Sequence, residues 1–272
     1  MGDATIGLLH PGEMGAAVGG CLTGRGHTVL WAPEGRSTAT GARAGEAGLT
    51  AARDMAELVG RADIIVSICP PHAALDVARQ VAGFGGIFVD ANAIAPATAR
   101  QVAAIVEASG AAYVDGGIIG APPTAPGQTR LYLSGPRAEE IGRLFESTAV
   151  DARLVDRDPE AGGIGSASAV KMAYASWTKG SAALLLTARA LARAEGVEDV
   201  LLAEWAMSQP VLEDRWARAA WSAAAKGWRW IGEMEEIAAA MAAAGLPDGF
   251  HQAAAEVYRR SRERSAGAET LR

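Results

Sequence analysis

Three groups of residues in this 272-residue sequence are of types and spacings that do chemistry. The first is a turn, Ile6-Gly7-Leu8-Leu9-His10-Pro11-Gly12-Glu13-Met14-Gly15, which leads from an apolar run into an alanine-rich one. A helix start exposes backbone N–H groups and the positive end of its dipole, so it binds a pyrophosphate when the backbone can come close. Gly12 removes the Cβ that would block that approach, and Gly15 lets the helix pack against the preceding strand. The usual G-x-G-x-x-G would begin at position 10, where this chain carries His10. Pro11, Gly12, Glu13 and Met14 are the cofactor contacts expected here. Glycines that serve packing alone are the bland alternative.

The second group follows the next strand, at the position that distinguishes dinucleotides. NAD enzymes place an acid there to hold the ribose 2′-hydroxyl. Here Thr28-Val29-Leu30-Trp31 ends in Ala32-Pro33, with Glu34 two residues late and Gly35-Arg36-Ser37 directly after it. Guanidinium pairs with phosphate in a bidentate way, so Arg36 with Ser37 suits a 2′-phosphate. NADP is the expected cofactor, and Glu34 keeps NAD as an alternative.

The third is a lysine. The only lysines are Lys171, Lys179 and Lys226, and every other basic residue is arginine. Lysine loses its proton at usable pH and arginine does not, so a retained lysine carries information. Lys171 lies in the first turns of a long helical segment, where the positive helix start and burial would both depress its pKa. That prepares an amine for proton transfer. At helical spacing Tyr174 and Thr178 share its face and are expected beside the substrate. A lysine pointing to water is the bland reading.

These groups need elements to position them. Up to position 160, short β-branched runs alternate with alanine-rich segments. Strands are expected over 5–9, 28–32, 64–69, 87–90, 112–115 and 130–134, with helices over 14–25, 51–59, 73–81 and 96–109. That rhythm implies βαβ units and an α/β Rossmann-type, mainly parallel sheet with both faces covered. Residues 166–195 hold no proline and one glycine, which reads as a connecting helix about 43 Å long. Helices are then expected over 200–207, 210–225, 231–244 and 250–265, an all-α C-terminal domain. The expected division is 1–165 for the dinucleotide domain, 166–195 for the connecting helix, and 196–272 for a helical domain that completes the substrate pocket and dimerises. Glu233, Glu235 and Glu236 are expected near a helix start.

Composition bounds the function. Half of the residues are apolar and 21% are charged, which fits a globular protein. A net charge of −6 with no basic cluster speaks against a nucleic-acid partner. No uninterrupted 18-residue apolar run predicts a membrane span. Cys21 and Cys69 sit in apolar runs and read as reduced thiols, and with no leader-like start the expected location is the cytoplasm. The four histidines are scattered, so no metal site is expected. Trp177, Trp205, Trp216, Trp221, Trp228 and Trp230 all fall in the helical half and point to a helical core or a subunit interface.

The motifs together resemble the β-hydroxyacid dehydrogenase family, relatives of 6-phosphogluconate and 3-hydroxyisobutyrate dehydrogenases. The family's G-x-G-x-M-G turn resembles His10-Pro11-Gly12-Glu13-Met14-Gly15, short of its first glycine. Its proline loop resembles Ser67-Ile68-Cys69-Pro70-Pro71, which puts Cys69, Pro70 and Pro71 on the cofactor. Its segment beside the nicotinamide ribose resembles Asp90-Ala91-Asn92-Ala93, which gives Asn92 both cofactor and substrate contacts. The substrate segment D-A-P-V-S-G-G resembles Asp115-Gly116-Gly117-Ile118-Ile119-Gly120-Ala121, with Ile119 where a serine would meet a carboxylate. Ile118, Ile119 and Gly120 are therefore expected at the substrate. The G-x-G-x-x-x-K motif resembles Gly163-Ile164-Gly165-Ser166 leading to Lys171, with two extra residues between. The two asparagines expected after the lysine are Tyr174 and Ala175. The helical remainder resembles a poorly characterised branch of the same superfamily. The resemblance implies hydride transfer between NADP and a small hydroxy or oxo acid-like substrate, Lys171 as general acid/base, and a homodimer. An imine reductase of the same superfamily is an alternative, although those enzymes usually carry Asp or Tyr at the lysine position. A non-catalytic dinucleotide sensor is another.

Overall fold

The computed structural model describes residues 4–155 and 163–269, with side chains up to 261. Two compact units emerge, Met1–Lys171 and Met172–Arg272.

In the first unit the chain runs β1 (Thr5–Leu9), α1 (Glu13–Thr23), β2 (Thr28–Trp31), α2 (Thr38–Glu46), β3 (Thr50–Ala51), α3 (Met55–Arg61) and β4 (Ile64–Ser67). It continues through α4 (Ala74–Gln80), β5 (Ile87–Asp90), α5 (Pro96–Glu107), β6 (Ala112–Gly120), β7 (Thr129–Ser134), α6 (Ala138–Leu144) and β8 (Val150–Leu154). The sheet order is β3-β2-β1-β4-β5-β6-β7-β8, parallel throughout except for the β6–β7 pair. This is the Rossmann-type fold the alternating pattern implied. The chain winds outward one way from β1 and then returns to lay β4 on its other side. The crevice at the carboxyl ends of β1 and β4 is where such sheets bind ligands.

Both faces are covered, as the Ile64-Ile65-Val66 run required. Ile64 and Val66 join one apolar cluster with Val18 and Leu22 of α1, Ala44 of α2 and Ile141 of α6. Ile65 joins the opposite one with Leu58 of α3, Val77 of α4 and Val102 of α5.

Several boundaries differ from the sequence expectations. The expected helix over 51–59 starts at Met55, because Thr50–Ala51 pairs beside β2 instead. Its start is a reciprocal cap: Asp54 accepts from Glu57 N at 2.8 Å, and Glu57 accepts from Arg53 N at 2.8 Å. Strand β6 runs five residues past its expected end at 115, since antiparallel pairing with β7 carries Gly116–Gly120. Helices α2 and α6 and strand β8 were not expected; α2 is rich in Thr and Gly, which have poor helix propensity, and Ser37 starts it by accepting from Thr40 N at 3.2 Å.

Helix α7 (Ser166–Ala194) crosses from the first unit into the second, which adds α8 (Glu198–Ser208), α9 (Leu212–Ala243) and α10 (Gly249–Glu269). The two helices expected over 210–225 and 231–244 are one. Glycine lowers helix propensity by about 1 kcal/mol without breaking a helix, and burial of Ala223, Gly227, Met234 and Ile237 outweighs that cost. Glu233, Glu235 and Glu236 therefore lie in a helix interior, not near its start. Glu233 pairs with Lys179, whose ammonium also lies 5.4 Å from the Trp230 ring centroid. Trp230 meets Tyr258 edge-on, and Tyr258 donates to the Lys179 carbonyl at 2.6 Å. Trp177, Trp221 and Trp228 are exposed and are not part of a core within this chain.

Candidate active site

The turn after β1 has the features an anion needs. A Cβ at Gly12 would meet nothing within 4 Å, so the space in front of the α1 start is open. A Cβ at Gly15 would lie 2.4 Å from the His10 carbonyl oxygen, so no larger residue fits there. His10, at the missing glycine, holds the left-handed φ of 68° that glycine adopts freely. Burial, with the nearby Arg36 charge, pulls its imidazole down from 6.5 to about 4. Its Nδ1 and the Nε of Arg36 are both buried with no hydrogen-bond partner among the described residues. Arg36 is half-buried, and its charge lies close enough to act on His10 of the turn and on Cys69 of the β4 loop. Ser37 stays exposed as the cap of α2, and Glu13 is exposed on α1.

The loops after β4 and β5 are tied together by Asn92, which is 3% exposed. Its Oδ1 accepts from Cys69 N at 2.5 Å, its Nδ2 donates to Ser67 Oγ at 3.1 Å, and its own N–H donates to Asp90 Oδ1 at 3.0 Å. Asn92 therefore braces the Cys69-Pro70-Pro71 loop. Burial, reinforced by Asp90, pushes the Cys69 thiol up to about 12, so it stays protonated.

Ser67, Asp90, Asp115 and Ser134 are successive register partners across four adjacent strands, and all four are buried. Burial raises the Asp90 carboxyl from 3.8 to about 7, and the Asp115 charge adds to this against the Asn92 backbone bond. The Tyr113 hydroxyl lies near enough to favour the charged form, yet neither it nor Asp90 Oδ2 reaches hydrogen-bonding geometry with a described partner. Asp115 has no such deficit. It accepts from Ser134 Oγ, Gly165 N and Ser168 N, each at 3.0 Å, and from Ser168 Oγ at 2.6 Å. Hydrogen bonds to charged groups contribute about 1.5–3 kcal/mol each.

Three residues beyond Ser168, the Lys171 amine donates to the Ile118 carbonyl at 2.8 Å. Lys171 is partly buried. Among the described residues no group of His, Cys, Asp and Glu is placed to hold a metal ion, and no helix is long and apolar enough to cross a membrane.

Residues 4–150 match the NAD binding domain of 6-phosphogluconate dehydrogenase. The chain belongs to that family. Residues 192–261 match a domain of unknown function, DUF1932. An uncharacterised 28.5 kDa protein of Methanothermus fervidus is 30% identical over 62% of this chain and 63% of its own length. A probable 3-hydroxyisobutyrate dehydrogenase of Mycobacterium tuberculosis is 29% identical over 48% of this chain and 45% of its own, so the chain spans only part of the curated relatives it matches. A solved protein of unknown function, described as structurally similar to 3-hydroxyacid dehydrogenases, is 27% identical over 95% of this chain and 97% of that one, with a TM-score of 0.68.

Within this 6-phosphogluconate dehydrogenase-type domain, the turn residues Pro11, Gly12, Glu13 and Met14, the Cys69-Pro70-Pro71 loop and Asn92 all follow the carboxyl ends of β1, β4 and β5, three neighbouring strands. The side chain of Ile118 is elsewhere: it packs in the sheet core with Val114 and Leu131, and its carbonyl alone meets Lys171. Ile119, by strand alternation, shares the Asp115 and Gly117 face. Gly120 ends β6 at φ 128°, where a Cβ would lie 2.0 Å from the Gln128 carbonyl oxygen. Tyr174 and Thr178 are exposed on α7, and the Thr178 hydroxyl donates to the Tyr174 carbonyl at 3.1 Å. Sequence reasoning missed Ser134 and Ser168, which carry no motif, and passed over Asp115 as part of one.

Proposed function

We propose that the protein is an NADP-dependent oxidoreductase for a small hydroxy or oxo acid-like substrate, with Lys171 as the general acid/base. The observation that carries this reading is the Lys171 amine held 2.8 Å from the Ile118 carbonyl on β6, in a domain whose β1 turn and braced loops suit a dinucleotide. The open space before Gly12 fits a pyrophosphate, and Arg36 with an unpartnered Nε fits a 2′-phosphate. The cofactor supplies the hydride acceptor or donor. The chain supplies the rest. The Gly12 turn and the first turn of α1 bind phosphate, Asn92 holds the Cys69 loop in shape, and Ile118 orients the amine. Lys171 takes the hydroxyl proton on oxidation and returns it on reduction. Ile119, in place of a carboxylate-binding serine, favours a less polar substrate than the simplest hydroxyacids.

Replacing Lys171 tests this directly. K171M is expected to bind NADPH within twofold of wild type and to lose on the order of 10²–10⁴-fold in turnover. The assay is a panel of 3-hydroxyisobutyrate, small oxo acids, aldehydes and imines. Undiminished turnover by K171M would remove the assignment, and tight NADPH binding with no turnover of any substrate by wild type would favour a sensor.

We also propose a homodimer through the helical unit. Trp177, Leu184 and Leu191 on α7 are exposed by 71%, 68% and 63%, at seven-residue spacing. That spacing makes one apolar stripe along a helix, and the same stripe on a second copy meets it about a two-fold axis. Both cysteines are free thiols.

A further inference from the structure

A helix start leaves its first N–H groups without partners inside the helix. In α7 two of them, on Ala167 and Ser168, are taken by Ser134 Oγ and Asp115 Oδ2 at 3.0 Å each. The Gly165 N–H and the Ser168 hydroxyl also donate to Asp115. Both acceptors stand on strands, so these bonds set the height and rotation of the first turn of α7 against the sheet. A carboxylate at this end also complements the positive end of the helix dipole.

The strand and the helix then advance together. Three residues after Asp115 comes Ile118, and three residues after Ser168 comes Lys171, whose amine reaches the Ile118 carbonyl at 2.8 Å. Gly117 lies between the two contacts. A Cβ there would stand 2.8 Å from the Ala167 carbonyl oxygen and 3.0 Å from Lys171 Cβ, so the helix seats against bare backbone. A slip of one residue along the helix, about 1.5 Å, would take the amine off its acceptor.

We propose that Asp115 is a positioning residue for Lys171: with Ser134 and Ser168 it anchors the first turn of α7 in register on β6 and so places the amine at the Ile118 carbonyl. Its catalytic consequence rests on the role proposed above for Lys171. The placement of the amine does not, and it can be read without turnover.

The chain's only lysines are Lys171, Lys179 and Lys226, so reductive methylation with carbon-13 formaldehyde labels few enough amines for each to be assigned. The variants are D115N and the uncharged pair S134A and S168A, each of which removes a single side-chain oxygen. In all three the Lys171 signal is expected to move toward that of exposed Lys226 and to change its pH titration, while Lys179, held by Glu233, stays in place. In D115N kcat should fall on the order of a hundredfold, with NADPH affinity within twofold. A Lys171 signal and titration unchanged in every folded variant would overturn the proposal. Should D115N fail to fold, S134A and S168A decide. A fully active K171M would remove the acid/base role and leave the positioning result standing. An inactive K171M with an unmoved Lys171 signal would do the reverse.

Discussion

The buried carboxyl of Asp90 makes stability depend on pH in an unusual direction. Its value rises from 3.8 to about 7, chiefly through burial. Between those values the folded protein keeps a proton that the unfolded chain has released. Stability contributed by this group is thus complete below pH 4 and is lost as pH rises through 7. The gap is about three pH units, and each unit corresponds to about 1.4 kcal/mol, which sets a ceiling of about 4 kcal/mol at pH 8. D90N mimics the protonated acid: its amide oxygen can still accept from Asn92 N, and its NH2 takes the place of Oδ2 beside the Tyr113 hydroxyl. We expect D90N to match wild type at pH 4 and to exceed it by about 1–4 kcal/mol at pH 8. His10 acts the other way. Its value drops from 6.5 to about 4, so its contribution is present above pH 6.5 and is lost as pH falls through 4. Both proteins share that term, and the difference between them isolates Asp90. Urea unfolding followed by far-UV circular dichroism from pH 4 to 8 provides the measurement. A difference that does not vary with pH, or a wild type more stable than D90N at pH 8, would refute the reasoning.

Two further outcomes follow from the cofactor and dimer readings. R36A removes a guanidinium from beside the β1 turn and should weaken NADPH on the order of 10–100-fold with NADH little changed, read by fluorescence titration; equal losses for both cofactors would place Arg36 outside 2′-phosphate recognition. L184E puts a charge in the middle of the exposed α7 stripe and should halve the mass seen in sedimentation velocity, whereas an unchanged mass would mean that this stripe is not the interface.

Much of the architecture was legible because it is written in short-range spacing. Ile64-Ile65-Val66 between helical stretches specified a strand covered on both faces, and Gly12 and Gly15 marked the tight turn from β1 into α1. Lys171 stood out by composition and place, as one of only three lysines among many arginines and the one in the first turns of the long helix. What escaped was long-range or too weak locally. Strands β3 and β8 are short pairings that depend on β2 and β7, and α9 runs through Gly227 because Tyr258 of α10 covers it, 3.7 Å from where a Cβ would stand. Asn92 matched a motif, but its role as a brace to Ser67 and Cys69 depends on two loops meeting across neighbouring strands. Asp115, Ser134 and Ser168 come from three separate stretches of chain and meet only because β6 pairs with β7 in one register and the first turn of α7 docks on both. The sequence by itself determined the order of elements and the residue types available for chemistry, since helix and strand patterns follow from neighbours a few positions apart. The tertiary structure alone decided which polar groups are buried together and which carbonyl receives the Lys171 amine, because those pairings join residues about fifty positions apart.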